Sequence, residues 1–312
     1  MTAQKTGGKG RGAFFLVRAA ISLSTAILLL TPGIGAKYAL YGLEISARSV
    51  IPSVFPFAVL GSLMCLQSPP RFISNKLSKL FRISPEGAAA LIPGLISGFP
   101  AGALSVRELY KSGRIDRAEA ERLICFTNNP SAAFVTGFVG KGIFGDLKTG
   151  LCLFAALQLS TLIAALATGK GVKAPENGAL CAKPEKTPGA KEFALAVKNS
   201  ALSMLNIAAF ITFFSVICGY ISKIPAGAEV HGALYGFLEI GNGAASLSAL
   251  PFGLTGSFIA AGAFIGWSGL SVHLQVATLC FDTGIRFKKY IASKLLCSAL
   301  CALFCAALAP LM

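Results

Sequence analysis

The sequence predicts an all-α polytopic membrane protein of two repeated halves, each holding a broken-helix or re-entrant hairpin. Three observations predict it. Of the 312 residues, 54% are hydrophobic and only 13% charged, with a mean hydropathy of +0.69; a soluble domain carries about 25% charged residues. Two polar, glycine-broken stretches are sunk in apolar sequence, Gly94-Leu-Ile-Ser-Gly-Phe-Pro-Ala-Gly-Ala103 and Phe126-Thr-Asn-Asn-Pro-Ser-Ala-Ala-Phe134. A second pair follows in the same order, Gly236-Phe-Leu-Glu-Ile-Gly-Asn-Gly-Ala-Ala245 and Phe264-Ile-Gly-Trp-Ser-Gly-Leu-Ser-Val-His-Leu-Gln275. In lipid an unpaired backbone N–H or C=O is costly, so helices break there only where the backbone is buried in protein or lines a cavity. Breaks at corresponding places of two halves point to a transporter's binding site.

The elements follow in order. Residues 1–12 are basic and glycine-rich, and are expected to be disordered. Ala13 to Leu30 reads as a retained first spanning helix rather than a cleaved leader, with Arg18 snorkelling to the interface. Lys37 to Arg48 reads as a separate amphipathic helix with Glu44 and Arg48 one turn apart. Ser49 to Leu66 is a second span, bent by Pro52 and Pro56. Arg71 to Arg82 is too short to span and reads as an interfacial helix. Ser84-Pro85 starts a new helix, serine as N-cap and proline first inside. Gly87 to Leu104 is broken by Pro93, Gly94, Ser97, Gly98, Pro100 and Gly102. Lys111-Ser-Gly113 closes a helix, and Asp116 with Glu119 opens the next, as a charged hairpin in water at the membrane edge.

Asn128-Asn129-Pro130-Ser131 interrupts the next apolar stretch, and Asp146 to Thr168 is a plain span. Gly169 to Lys198 is polar, with Pro175, Pro184 and Pro188, and reads as an exposed joint between the halves. Phe193 to Ile221 spans again. Gly232 to Leu250 and Phe252 to Ala277 repeat the broken pattern, and Arg286 to Leu311 is the last span. The expected organisation is a basic N-terminus with a first helix (1–36), a first repeat (37–168), a loop (169–192) and a second repeat (193–312).

The net charge is +15. The basic residues fall in short stretches between apolar segments: Lys5, Lys9 and Arg11; Arg71, Lys76, Lys79 and Arg82; the loop after Gly169; and Arg286, Lys288, Lys289 and Lys294. That is the pattern of the positive-inside rule, and these clusters mark the cytoplasmic side. Nucleic acid is not an expected partner. The nine cysteines contain no CxxC pair and their number is odd, so no disulfide framework is expected. Cys297, Cys301 and Cys305 form one helix stripe, read as small residues packing between helices rather than soft metal ligands. No HExxH, Walker A loop, GxSxG or metal-spaced cysteine set is present, so neither an enzyme nor a cofactor is expected.

Glu239 is a carboxylate inside an apolar, glycine-broken stretch. It serves either cation or proton coupling, or a structural hydrogen bond to the hairpin backbone. Asn242 shares its helix face. His273, one of only two histidines, cannot build a multi-histidine metal site. With Gln275, Ser268, Gly269 and Ser271 it marks a polar pocket or a packed, satisfied core. Ser97, Gly98, Thr127, Asn128, Asn129 and Ser131 complete the candidate solute-binding set. Neutral donors and half-helix N-termini together suit an anion, above all a carboxylate. Lys141 either adds a full charge there or snorkels at the interface, and Asp282 reads as an interfacial charge.

Three stretches carry a family resemblance: Gly94 to Ala103; Arg117-Ala-Glu-Ala-Glu-Arg-Leu through Phe126-Thr-Asn-Asn-Pro-Ser131; and Gly269-Leu-Ser-Val-His-Leu-Gln-Val276. Through them the chain, from about residue 40 onward, resembles the sporulation integral membrane proteins of the YlbJ type. Its halves look like the gate, or nucleoside-recognition, domains shared with nucleoside transporters and spore maturation proteins. The resemblance implies a multi-pass protein of endospore formers, in the mother-cell or outer forespore membrane, moving dipicolinic acid toward the forespore. It implies a small anionic solute, membrane lipid, and other sporulation membrane proteins or a second copy as partners. The alternatives are a nucleoside or cation-coupled transporter, and a non-transporting structural subunit of a sporulation membrane complex.

Overall fold

The computed structural model describes residues 8–64, 66, 70–169 and 188–311, and every regular element among them is a helix. Lys5, Cys65, Cys181, Pro175, Pro184 and most of the 169–192 loop lie outside the described residues. The helices are α1 (Gly8–Leu30), α2 (Pro32–Ile45), α3 (Ile51–Met64), α4 (Arg71–Phe81), α5 (Pro85–Ile96), α6 (Ala101–Lys111) and α7 (Arg117–Thr127). After a π-helical segment (Phe134–Ile143) come α8 (Leu147–Thr168), α9 (Ala190–Ile221), α10 (Ala228–Leu238), α11 (Ile240–Ser246), α12 (Gly253–Trp267), α13 (Leu270–Cys280) and α14 (Lys288–Leu308). Five stretches are long and apolar enough to cross a membrane: Pro32–Met64, Leu147–Thr168, Ala190–Ile221, Gly253–Thr283 and Lys288–Leu308.

Local chemistry explains most boundaries. Ser84 caps α5, its Oγ accepting the Gly87 N–H at 2.9 Å. Asp116 caps α7, accepting the Glu119 N–H at 2.7 Å. The Glu119 carboxylate does not turn back to complete a capping box. It crosses to Ser84, accepting its N–H at 2.6 Å and its hydroxyl at 2.8 Å. The separate amphipathic helix expected over Lys37 to Arg48 is absent. A π-helical turn, Ser46–Val50, runs α2 into α3 as one apolar rod. It absorbs the extra residue without a break, and Pro56 is carried inside α3.

One end of the bundle is charged. Arg82 Nη1 donates to the Gly169 carbonyl at 3.2 Å, and Arg122 donates to the carbonyls of Arg82 (2.8 Å) and Phe81 (2.5 Å). Glu121 accepts from Arg286 Nε at 2.9 Å and Arg117 Nε at 3.0 Å. Asp282 pairs with Arg107, at 2.7 Å, and with Lys111. At the other end Thr31 Oγ1 and Tyr220 OH lie 2.8 Å apart, and Tyr38 OH lies 3.0 Å from Ser222 Oγ. Lys294 departs from its expected cluster: it is fully buried inside the bundle.

These contacts fix helix directions. Arg286, just before α14, and Ser293 and Lys294 within it meet Glu121, Cys125 and Asn128 in rising order, so α7 runs parallel to α14. Gly262 of α12 faces Cys301 and Cys305, whereas Gly266 faces Cys297 and Ser298, so α12 runs against α14. The segments matched by motif, α7 and α12, therefore run in opposite directions. The hairpin of α5 and α6 enters from the charged end, and that of α10 and α11 from the other. The two broken hairpins thus enter the bundle from opposite ends.

The cysteine stripe packs as small residues do. Cys297, Cys301 and Cys305 are buried, free, and seated on the glycines of α12. A Cβ at Gly266 would meet the Cys297 carbonyl oxygen at 2.6 Å and Ser298 Cα at 2.7 Å. Gly266→Leu is expected to cost about 2 kcal/mol or more by forcing α12 from α14, whereas Gly137→Ala, with open space around it, is expected to be near neutral. Unfolding midpoints in detergent check the pair. Acid provides a second test. Arg286, with Arg117 beside it, holds the Glu121 carboxyl down to about 2 against the upward push of burial. A carboxyl so depressed adds stability that is complete above its ordinary value of 4.5 and is lost as pH falls from there toward 2. The wild-type midpoint should fall more steeply across that window than that of Glu121→Gln.

Candidate functional site

Within each half, the two breaks touch. Ser97 to Pro100 separates α5 from α6, and the Phe99 N–H donates to the Asn129 carbonyl at 2.9 Å. Gly98, at φ +69°, is required there. A Cβ would lie 2.5 Å from Ser131 N and 2.6 Å from Asn129 O. In the other half Glu239 is an extended residue between α10 and α11, and Ser268 (φ +75°) and Gly269 (φ +86°) separate α12 from α13. A Cβ on Gly269 would meet Ile240 N at 2.9 Å and Glu239 Cα at 3.1 Å.

The two pairs of breaks meet at a cleft. Phe99, Ser131 and Phe134 line it from one side, and Glu239, Ile240, Val272 and Gln275 from the other. Val50, Val54, Ile207 and Ile211 wall it, and its open volume is about 10 Å³, the room of one water molecule. A larger polar cavity of about 320 Å³ lies between α3, α6 and the start of α9. Ser62, Arg107, Glu108, Asn199 and Ser203 line it, and it reaches Pro100. Phe99, 8% exposed, lines the cleft next to that residue.

Of the predicted residues, Ser131, Glu239 and Gln275 come together at the cleft. Ser131 Oγ also caps the next turn, accepting the Phe134 N–H at 3.1 Å. Glu239 caps α11: its Oε2 accepts the Asn242 N–H at 2.7 Å and Nδ2 at 2.8 Å, while Asn242 Nδ2 also reaches Ser215 Oγ at 2.8 Å. Gln275 Nε2 donates to Ser271 Oγ at 3.2 Å, and its Oε1 is buried without a protein partner.

Other predicted residues are occupied by structure. Ser97 donates to the Phe57 carbonyl at 2.6 Å, Thr127 to Leu123 at 2.9 Å, and Ser268 to Ile265 at 3.3 Å. Asn128 Nδ2 donates to Ile124 at 3.1 Å and Asn129 Nδ2 to Phe126 at 3.0 Å. His273 lies in an aromatic nest, its Nδ1 3.0 Å from Tyr290 OH and its ring 4.3 Å from that of Trp267. Asn128 Oδ1 and His273 Nε2 are buried without protein partners. Lys141 is exposed, bonded to the Gly145 carbonyl at 3.2 Å, and adds no charge to the breaks.

Sequence reasoning missed Lys294. It is fully buried and donates to the Asn128 carbonyl and, at 2.8 Å, to Asn129 Oδ1. A signal existed: it stands six residues inside an apolar helix, about 9 Å from the start. The basic run before it, Lys288 and Lys289, hid that position.

Comparison with known proteins supplies the wider setting. The chain is 28% identical, over 323 residues, to the sporulation integral membrane protein YlbJ of Bacillus subtilis (strain 168), covering 90% of this chain and 79% of that protein. This similarity supports the YlbJ-type family. No protein-family model matches the chain, and no solved structure matches it. With its apolar helices, the chain is a multi-pass integral membrane protein related to a sporulation protein.

Glu239 is both a cap and a wall of the cleft, and the two roles separate by substitution. Glu239→Ala leaves the Asn242 donors without that acceptor and should cost about 1–3 kcal/mol of stability. Glu239→Gln retains an acceptor and should lose less than half as much, measured by unfolding in detergent.

Proposed function

We propose that this protein is a transporter or facilitator of a small organic anion, with dipicolinic acid as the leading solute, working by alternating access around the central cleft. The observation that carries the reading is the meeting of two oppositely entering broken hairpins at one cleft inside a membrane bundle, an apolar cleft whose polar lining residues are Ser131, Glu239 and Gln275. Discontinuous helices at the interface of inverted halves are how carriers bind solutes at mid-membrane.

The chemistry favours a carboxylate. Half-helices begin at each break, and each N-terminus is a positive dipole end. At α11 a carboxylate already occupies such an end, that of Glu239. The first N–H groups of α13 carry no side-chain cap, and Gln275 stands one turn on. The 320 Å³ cavity offers a polar approach from the charged end and falls within the range of small-ligand sites. The similarity to a sporulation membrane protein agrees with dipicolinate, a small planar dianion.

A second reading, cation coupling, draws on Glu239, a buried carboxylate at the cleft. Glu239→Gln separates the two readings: a coupled carrier loses its ion dependence, whereas a dianion facilitator keeps its uptake.

The test is uptake of labelled dipicolinate into proteoliposomes holding this protein alone. Saturable uptake is expected, reduced about tenfold or more in Gln275→Leu, the loss typical of one hydrogen bond to a charged group. Uptake by folded protein no greater than that of empty liposomes would overturn the reading in favour of a non-transporting subunit.

A further inference from the structure

Lys294 presents a problem that the carrier reading does not use. Its side chain is fully buried, in a helix apolar and long enough to cross a membrane. An ammonium in such a place is costly unless its donors are met. No carboxylate lies within ion-pair distance of it among the described residues. Its acceptors are neutral oxygens, the Asn128 carbonyl and Asn129 Oδ1. Its Nζ lies 5.9 Å from the Tyr290 ring centre.

Those oxygens belong to one structural feature. Asn128 is the residue at which α7 ends; the carbonyls of Ile124, Cys125 and Phe126 before it are met by Asn128, Ser293 and Asn129 side chains, and its own carbonyl, past the last turn of the half-helix, is met by Lys294. The dipole gives that end a partial negative charge. A further oxygen of the same break, Asn128 Oδ1, is buried without a protein partner. In carriers built from discontinuous helices, unwound backbone carbonyls and half-helix C-terminal ends coordinate the coupling cation.

We propose that Lys294 is a tethered cation: its ammonium fills a monovalent-cation site at the end of α7, so that no free sodium or potassium ion is needed there. The assignment rests on the contacts alone. Its consequence for transport, that the first half works without a coupling ion, rests on the carrier reading.

The test uses the full-length protein in detergent, with unfolding midpoints taken in choline, sodium, potassium and methylammonium chloride. The wild-type midpoint is expected to be the same in all four salts. Lys294→Ala removes the ammonium and opens space; its midpoint should drop in choline and rise by a few degrees, saturably, with methylammonium or sodium. Lys294→Met removes the charge but fills the space, so its midpoint should drop and respond to no cation. A saturable sodium dependence in the wild type would overturn the proposal. So would an alanine variant indifferent to every cation, an alanine variant as stable as wild type in choline, or failure of both variants to fold in any of the salts. Midpoints need no transport, so the two readings fail separately. Cation rescue without dipicolinate uptake would keep the tethered cation and remove the carrier. Uptake without rescue would do the reverse.

Discussion

A helix that stops inside a membrane leaves carbonyls at one end and N–H groups at the other, and neither set can reach water. The whole arrangement depends on how these ends are met. At the end of α7 the carbonyl side receives a buried ammonium, Lys294. At the start of α11 the N–H side receives a buried carboxylate, Glu239. Each charge is met by a helix terminus instead of by the other charge, and each lies where the dipole favours its sign. Two further breaks are met by backbone and small polar groups: the Phe99 N–H donates to the Asn129 carbonyl, and the Ser131 hydroxyl accepts the Phe134 N–H.

That solution demands close approach, and glycine supplies it. Gly94 and Gly102 both lie against Thr127, which lets the α5–α6 hairpin rest on the end of α7. Gly262 and Gly266 let α12 ride on the cysteine face of α14. α14 is thus the shared support, carrying α7 along one side and α12 along another. The residue that stabilises the first half's break is held by the last helix of the chain.

Much of this was legible in the sequence, for identifiable reasons. Glycine and proline inside apolar runs mark broken helices in any context, so the breaks at Ser97–Pro100, Asn128–Ser131, Glu239 and Ser268–Gly269 stood out. Caps at Ser84 and Asp116 depend on residues three apart and were equally visible. Direction was not legible, because a motif match has no polarity; only contacts such as Glu121 with Arg286 reveal it. The joined α2 and α3 were missed because a π-helical turn leaves no compositional mark. Side-chain allegiance was the hardest part. Ser97, Thr127 and Ser268 look like ligands in sequence, yet each hydroxyl is taken by a carbonyl. Lys294 looked like one more interfacial lysine.

The larger cavity lies on one side only, between α3, α6 and α9, and opens beside the charged end. The two hairpins point in opposite directions, so on the proposed carrier reading an exchange of shape between them would move that opening from one face of the membrane to the other. On that carrier reading, facing inward or outward would be a matter of which hairpin adopts which of two shapes, with the breaks as the pivot between them.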